Sequence, residues 1–333
     1  MKVAIVKLSA MGDIIHAMAA LQFMKAYAPQ SEIDWIVEDA FKAVLEHNPD
    51  IHAVLPVQLK SLKTDKSKIF SEIKKIRHYA NAKYDIVIDA QGLIKSAVTA
   101  KFLKGQTLWG FSRTSIREGV ASLLYDHTVE ISYAANTIDR NMKVLSEPLG
   151  FQIGPEQVME KKPFLFYQNE DKIIYDYLLE DKKNIVFVIG STWASRNYPK
   201  EGFAKVAEGI KENVLVAWGN NEEKAWAEWM ASRVSNVRVL PRLDLNTLKA
   251  VIAKADLLIG NDTGPTHMAW GLNVPSITLF GPTPVSRVYQ TPINYVIKSD
   301  SKVDPYRLDK NDFSIGNIDP DKILKMAEEL LNR

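Results

Sequence analysis

The chain has 333 residues, 42 basic against 40 acidic side chains and a net charge of +2, so it is no polycation built for nucleic acid. It has no cysteine, which excludes a disulfide framework and thiolate metal sites and fits a reducing compartment. The length suits two domains. The N-terminal apolar run is too short for a signal peptide and no stretch reaches membrane-spanning length, so a cytoplasmic protein is expected.

Taken in order, Val3 to Val6 reads as a buried strand, Lys7 to Gly12 as a loop of small residues, and Asp13 to Tyr27 as a helix with Ile14, Ala17, Met18, Leu21 and Met24 on one face. The alternation continues with strand 33–37, helix 40–46, strand 53–57, helix 67–79, strand 86–89, helix 93–103, strand 107–110 and helix 135–149. Strands separated by helical patterns imply a parallel sheet with right-handed crossovers. Between Gly150 and Lys162 the periodicity lapses into Gly, Pro, Gln and charge, the composition of a connector. Alternation then restarts: strand 185–189, helix 201–212, strand 214–218, helix 222–231, strand 237–240, helix 245–254, strand 257–259, helix 266–270 and strand 276–280. A last amphipathic helix occupies 319–332. The fold class is therefore α/β, with two successive doubly wound domains.

Such sheets bind ligands beyond the carboxyl ends of their strands. Asn261-Asp-Thr-Gly-Pro-Thr-His is the most informative of these strand ends. Thr263 and Gly264 suit a tight turn and Pro265 a first helical position, so uncovered N–H groups and the helix dipole would face an anion. Asp262 repels a phosphate unless it serves another group; it either caps the helix or binds a hydroxyl-rich ligand. Ser191, Thr192 and Arg196 bring hydroxyls and a cation to a second strand end, although a solvated loop would look the same. Glu223 at a third can take ribose hydroxyls. In the first half, Ser9, Gly12 and Asp13 follow the first strand, with Asp13 either an N-cap or a base, and Asp89-Ala-Gln-Gly-Leu-Ile-Lys95 follows another. Residues 58–83 hold eight Lys and Arg against Asp65 and Glu72. Such a run is usually a solvated helix face, and here it also suits an anionic partner or membrane leaflet. The six histidines form no closely spaced set with carboxylates, so no metal site is expected.

Lys7-Leu-Ser-Ala-Met-Gly-Asp-Ile, Tyr84-Asp-Ile-Val-Ile-Asp-Ala-Gln-Gly-Leu-Ile-Lys-Ser, Arg117-Glu-Gly-Val-Ala-Ser-Leu, Asn261-Asp-Thr-Gly-Pro-Thr-His and Phe280-Gly-Pro-Thr together resemble the bacterial lipopolysaccharide heptosyltransferases of glycosyltransferase family 9. The likeness covers nearly the whole chain. It implies a GT-B type fold, two Rossmann-like domains facing across a cleft: an acceptor-binding domain at 1–155, a nucleotide-sugar-binding domain at 163–318 and a C-terminal helix at 319–333. The activity implied is inverting transfer of L-glycero-D-manno-heptose from ADP-heptose to the inner Kdo of Kdo-lipid A, peripherally at the cytoplasmic face of the inner membrane, without a cofactor or metal. A type II heptosyltransferase adding the second heptose, or a sugar-nucleotide epimerase of the same fold, are the alternatives. By the resemblance Asp13 is the general base. Ser191, Thr192 and Arg196 would hold the diphosphate, Glu223 the ribose, Leu243 the adenine, and Asp262, Thr263, Gly264 and His267 the heptose and phosphates. Ser9, Gly12, Lys60, Lys63, Gln91, Lys95, Arg117 and Arg140 would meet the acceptor. Arg196 stands where relatives commonly carry Lys, and Leu243 where some carry Met.

Overall fold

The computed structural model describes residues 1–333, the side chain of Lys63 excepted. The chain divides into two compact units, Met1–Phe166 and Tyr167–Arg333. Each holds one six-stranded, all-parallel sheet whose strands are joined through helices or loops.

In the first unit the order along the chain is β1 (Lys2–Val6), α1 (Met11–Met18), α2 (Ala20–Tyr27), β2 (Glu32–Glu38), α3 (Lys42–Leu45), β3 (Ala53–Val57), α4 (Ile69–Tyr79), β4 (Ile86–Asp89), α5 (Ile94–Phe102), β5 (Thr107–Phe111), β6 (His127–Val129), α6 (Thr137–Ser146) and α7 (Pro155–Met159). The sheet runs β3-β2-β1-β4-β5-β6. The order reverses between β1 and β4, so their carboxyl ends open the crevice where such a sheet takes a ligand. Strand β1 is apolar throughout its buried part, as a strand covered on both faces must be.

Three expectations need correction here. The helix foreseen from Asp13 begins at Met11 and is interrupted by a single turn residue, Ala19. Asp13 is accordingly not the N-cap but the third helical residue, and its carboxylate reaches back to the Ala10 N–H at 3.3 Å. The connector contains α7, and the first unit continues to Phe166 because its last residues pack back on that unit: Asn48, after α3, donates to the Phe164 carbonyl at 2.8 Å, Lys162 N–H donates to Gln22 of α2 at 2.9 Å, and Phe164 and Leu165 are buried.

The second unit comprises β7 (Asn184–Val188), α8 (Lys200–Ile210), β8 (Asn213–Ala217), α9 (Asn221–Ala231), β9 (Val237–Val239), α10 (Leu245–Ala253), β10 (Leu257–Asn261), α11 (Gly264–Leu272), β11 (Ser276–Phe280), β12 (Asn294–Lys298) and α12 (Pro320–Leu331). Its sheet runs β12-β11-β10-β7-β8-β9, with the reversal between β7 and β10. Strands β7, β10 and β11 are buried at every position, and each fully buried Val, Ile or Phe contributes about 1.5–3 kcal/mol. The last helix packs along α8 and puts Ile323, Ala327 and Leu330 into this core, so it is a part of the second unit. Strands β6 and β12, unforeseen, complete the far edges.

One buried carboxylate holds the first sheet's carboxyl edge. Asp89 accepts from Gln91 N–H at 2.9 Å, Gly92 N–H at 3.2 Å, Ser96 Oγ at 2.8 Å and Tyr125 Oη at 2.7 Å. Burial raises its pKa, and these four donors oppose the rise. Tyr125 reaches Asp89 only by lying on Gly110, where a Cβ would come within 2.3 Å of the ring. Gly110→Ala should therefore displace the ring and weaken the bond to Asp89, costing about 2–4 kcal/mol of stability in chemical denaturation. Tyr125→Phe, which removes only the hydroxyl, should cost less; a denaturation midpoint unchanged by Gly110→Ala would show that the ring is not held there.

Candidate active site

In the second unit the strand-order reversal brings β7 and β10 side by side, and Asn261 ties their ends together. Its Oδ1 accepts from Tyr198 N–H at 3.0 Å and its Nδ2 donates to the Ile189 carbonyl at 2.7 Å. The next residue, Asp262, is buried. Its Oδ1 accepts from His267 Nε2 at 3.0 Å, its Oδ2 accepts from Thr283 Oγ1 at 2.7 Å, and Arg196 Nη2 forms an ion pair with Oδ2 at 3.1 Å. Burial alone would raise the carboxyl pKa. The His267 hydrogen bond and the Arg196 charge, with Arg287 further out, outweigh burial and hold it well below the usual carboxylate range. Asp262 is thus a fixed anion at neutral pH. Removing one partner of such a buried pair typically costs about 3–5 kcal/mol, because the other charge is left uncompensated.

Thr263 then adopts an extended conformation as the N-cap of α11, with Gly264 and Pro265 opening the helix. The amides of Gly264 and Thr266 belong to the first turn, which has no intrahelical acceptors, so they and the helix dipole favour an anion in front of them. Asp262 does not cap the helix: its oxygens are taken by Arg196, His267 and Thr283. The result joins a cation and a positive helix end to a carboxylate whose orientation is set from three sides. That set of groups suits a ligand with both phosphate and hydroxyl groups.

The neighbouring strand ends extend the site. Ser191 and Thr192 follow β7 and line a cleft of about 630 Å³ with Lys200, Asn220 and Trp226. Arg196 stands on a 3-10 turn, Ala194–Arg196, with its guanidinium 5.6 Å from the centroid of the Trp193 ring. Glu223 is the third residue of α9. One carboxylate oxygen accepts from Gly219 N–H at 2.6 Å and the other from Asn220 Nδ2 at 2.7 Å. It lies across the end of β7, where a Cβ on Gly190 would come within 2.0 Å of it. Leu243, half-buried, follows β9 in the segment before the Asp244 cap of α10.

In the first unit the reversal between β1 and β4 assembles a second group. Lys7 is buried; its Nζ donates to the Ala90 carbonyl at 2.7 Å and to Asn141 Oδ1 at 3.1 Å. Burial lowers its pKa, Asp13 and Asp89 pull it back up, and Arg140 lowers it further. Gln91 Oε1 accepts from the Leu8 and Ser9 amides, both at 3.1 Å, which locks the loop carrying Ser9, Gly12 and Asp13 onto the end of β4. Asp13 uses Oδ2 for Ala10, and a carboxylate oxygen so placed still leaves Oδ1 to receive a proton.

The remaining acceptor candidates divide. Arg140 spans Ser132 and Ser115 carbonyls, both at 2.7 Å, and lies over the Phe111 and Tyr133 rings, so it ties loops together beside the Lys7 group. Lys95 is exposed and reaches Glu38 at 3.9 Å; the backbone of Lys60 bonds the same carboxylate. Arg117 is exposed. The side chain of Lys63 lies outside the described residues. Sequence reasoning left Lys7, Asn261, Thr283 and Arg287 off the site. Thr283 had a signal, since it closes Phe280-Gly-Pro-Thr just beyond β11.

Residues 73–302 match glycosyltransferase family 9 (heptosyltransferase). A lipopolysaccharide heptosyltransferase 1 of Campylobacter coli is 34% identical over 344 residues, covering 99% of this chain and 99% of its own. One from Pseudomonas aeruginosa is 30% identical over 289 residues, covering 85% of this chain and 79% of its own. Among solved structures, the Escherichia coli heptosyltransferase WaaC with ADP-2-deoxy-2-fluoro heptose superimposes with a TM-score of 0.80 at 25% identity, over 99% of each chain. The chain belongs to glycosyltransferase family 9, the heptosyltransferases, and is a glycosyltransferase.

Proposed function

We propose that this chain transfers L-glycero-D-manno-heptose from ADP-heptose to the inner Kdo of Kdo-lipid A in lipopolysaccharide core synthesis, at the cytoplasmic face of the inner membrane. The observation that carries this reading is the Arg196–Asp262–His267 group at the N-terminus of α11, on the strand-order reversal of the second unit. It provides charge for a diphosphate and a fixed carboxylate for sugar hydroxyls. The likeness to named heptosyltransferases 1 over the full chain supports it, and the E. coli relative was solved with an ADP-heptose analogue.

In this reading the acceptor hydroxyl attacks the anomeric carbon from the face opposite ADP while Asp13 takes its proton, and the sugar passes through an oxocarbenium-like state with inversion. Arg196, Ser191, Thr192 and the first turn of α11 stabilise the charge that gathers on the leaving diphosphate. Glu223 takes the ribose hydroxyls, Leu243 packs on adenine, and His267 orients Asp262 toward the heptose. Incubating purified protein with ADP-heptose, with and without deacylated Kdo2-lipid A, and weighing the products tests the whole reading. An acceptor-dependent glycoside is expected. Donor isomerised without acceptor would instead identify an epimerase, and transfer only to an acceptor already bearing one heptose a type II enzyme.

Three variants test the parts. Asp13→Asn should keep the fold and lower kcat by about two to four decades, the range for a lost general base; wild-type turnover would reduce Asp13 to its bond with Ala10. Arg196→Ala should weaken ADP binding in calorimetry and slow transfer, whereas Arg196→Lys keeps the charge and should lie between the two. Comparing melting temperatures separates a lost ligand contact from the destabilisation of Asp262, and unaltered ADP affinity in a folded Arg196→Ala chain would remove Arg196 from the donor site. Replacing Lys60 and Lys63 together by Ala should raise the acceptor KM and flatten its salt dependence, since attraction over more than about 8 Å is screened at physiological salt. A rise confined to the donor KM would contradict that role.

A further inference from the structure

The first unit exposes nine large hydrophobic side chains, and six of them fall on three neighbouring elements. Ile69 and Phe70 lie on α4, Ile94 and Val98 on α5, and Val120 and Leu123 on the 3-10 segment Gly119–Leu124. Helix α5 packs against both of the others, so the three elements are neighbours on the surface of the first unit. Phe70 is 81% exposed and Leu123 76%, values that packing against their own fold does not explain. Between α4 and α5 runs an apolar groove of about 250 Å³, lined by Leu62, Ile69, Ile73, Ile76, Val98 and Phe102. Concentrated apolar exposure of this kind marks an interaction surface.

The charges around it select the partner. Lys66 precedes α4, Lys74 and Arg77 ride on it, and Lys95 and Lys101 ride on α5, all of them exposed. Arg77 stacks over Phe102 at the groove, 5.3 Å from the ring centroid. The nearby acids are engaged: Asp65 pairs with Lys68, Asp126 with Lys101, Glu38 with Lys95, Glu118 accepts from Ile94 N–H, and buried Glu72 accepts from Gln58 N–H. A second copy of the chain would bring cations against cations across a two-fold axis. An anionic lipid surface offers phosphates to the rim and acyl chains to the centre.

We propose that the face formed by α4, α5 and Gly119–Leu124 docks on an anionic phospholipid bilayer, with Phe70 and Leu123 entering the acyl boundary and the basic rim meeting headgroup phosphates. The proposal deepens, and rests on, the reading of an enzyme whose acceptor is itself a lipid. Among the described residues no helix is long and apolar enough to cross a membrane, so attachment would be through this surface and reversible.

The test is co-sedimentation with vesicles of phosphatidylcholine alone and of phosphatidylcholine mixed with phosphatidylglycerol. The full chain should pellet with the mixed vesicles only and leave them as salt rises. Phe70→Ser and Phe70→Glu should lower that partition by about tenfold or more, the worth of one buried aromatic side chain, and should transfer heptose to a deacylated, water-soluble acceptor as fast as the parent. Partition equal in parent and variants, or a parent that ignores phosphatidylglycerol, overturns the proposal. So does a parent that dimerises in sedimentation velocity through Phe70 and binds no vesicles, which would make the face an interface between copies. If vesicle binding depends on Phe70 while no chain transfers heptose, the docking face stands and the reading of the reaction falls.

Discussion

Asp262 is a carboxylate with almost no water around it, and a buried anion persists only where other groups take over the work of water. Arg196, His267 and Thr283 do so, and each comes from a different stretch of the chain. The 3-10 turn after β7, the first turn of α11 and the loop after β11 are therefore fixed relative to one another by a single side chain. Asn261, one residue earlier, fastens β10 to β7 from below. The carboxyl edge of the second unit's sheet depends on this pair of adjacent residues: the amide holds the strands, and the carboxylate holds what lies beyond them.

The first unit solves a similar problem differently. Asp89 also ends a strand beside the reversal and is also buried, yet all of its partners are neutral donors and burial leaves its pKa raised. Beside it lies buried Lys7, whose Nζ is held by a carbonyl and an amide and feels the charges of Asp13, Asp89 and Arg140. The Asp89 clamp positions Gln91, and Gln91 in turn keeps the loop of Asp13 in place through the Leu8 and Ser9 amides. Asp13 is half-buried beside them, with one carboxylate oxygen turned to the Ala10 N–H.

How much of this could be read beforehand follows from the range of the interactions. Strands such as Ser276–Phe280 are apolar runs bounded by Gly and Pro, and these local signals locate them to the residue. The strand-end polar clusters, Asn261 to His267 above all, were visible for the same reason. Strands β6 and β12 were not: His127-Thr-Val and Asn294-Tyr-Val-Ile-Lys mix polar and apolar residues at the sheet edges, without a continuous apolar run. The start of α1 was missed because Met11 and Gly12 give no start signal, whereas Asp13 imitates one. Lys7 and Arg140 illustrate the opposite failure. Both are cations, and only tertiary contacts reveal that one is buried and the other spent on two loop carbonyls.

Arg196 also shows why a residue's position in the pattern says less than its geometry. A lysine there would have one ammonium to serve both Asp262 and a bound diphosphate, and a compact point charge satisfies two anions only by sitting between them. A guanidinium spreads five N–H groups over a rigid plane, so pairing with a carboxylate through one edge and with a phosphate through another are separable tasks. The indole of Trp193 lies beside that of Arg196, with its ring centroid 5.6 Å from the guanidinium carbon. The His267 hydrogen bond first and the Arg196 charge second account for why Asp262 can be so deeply buried and remain ionised.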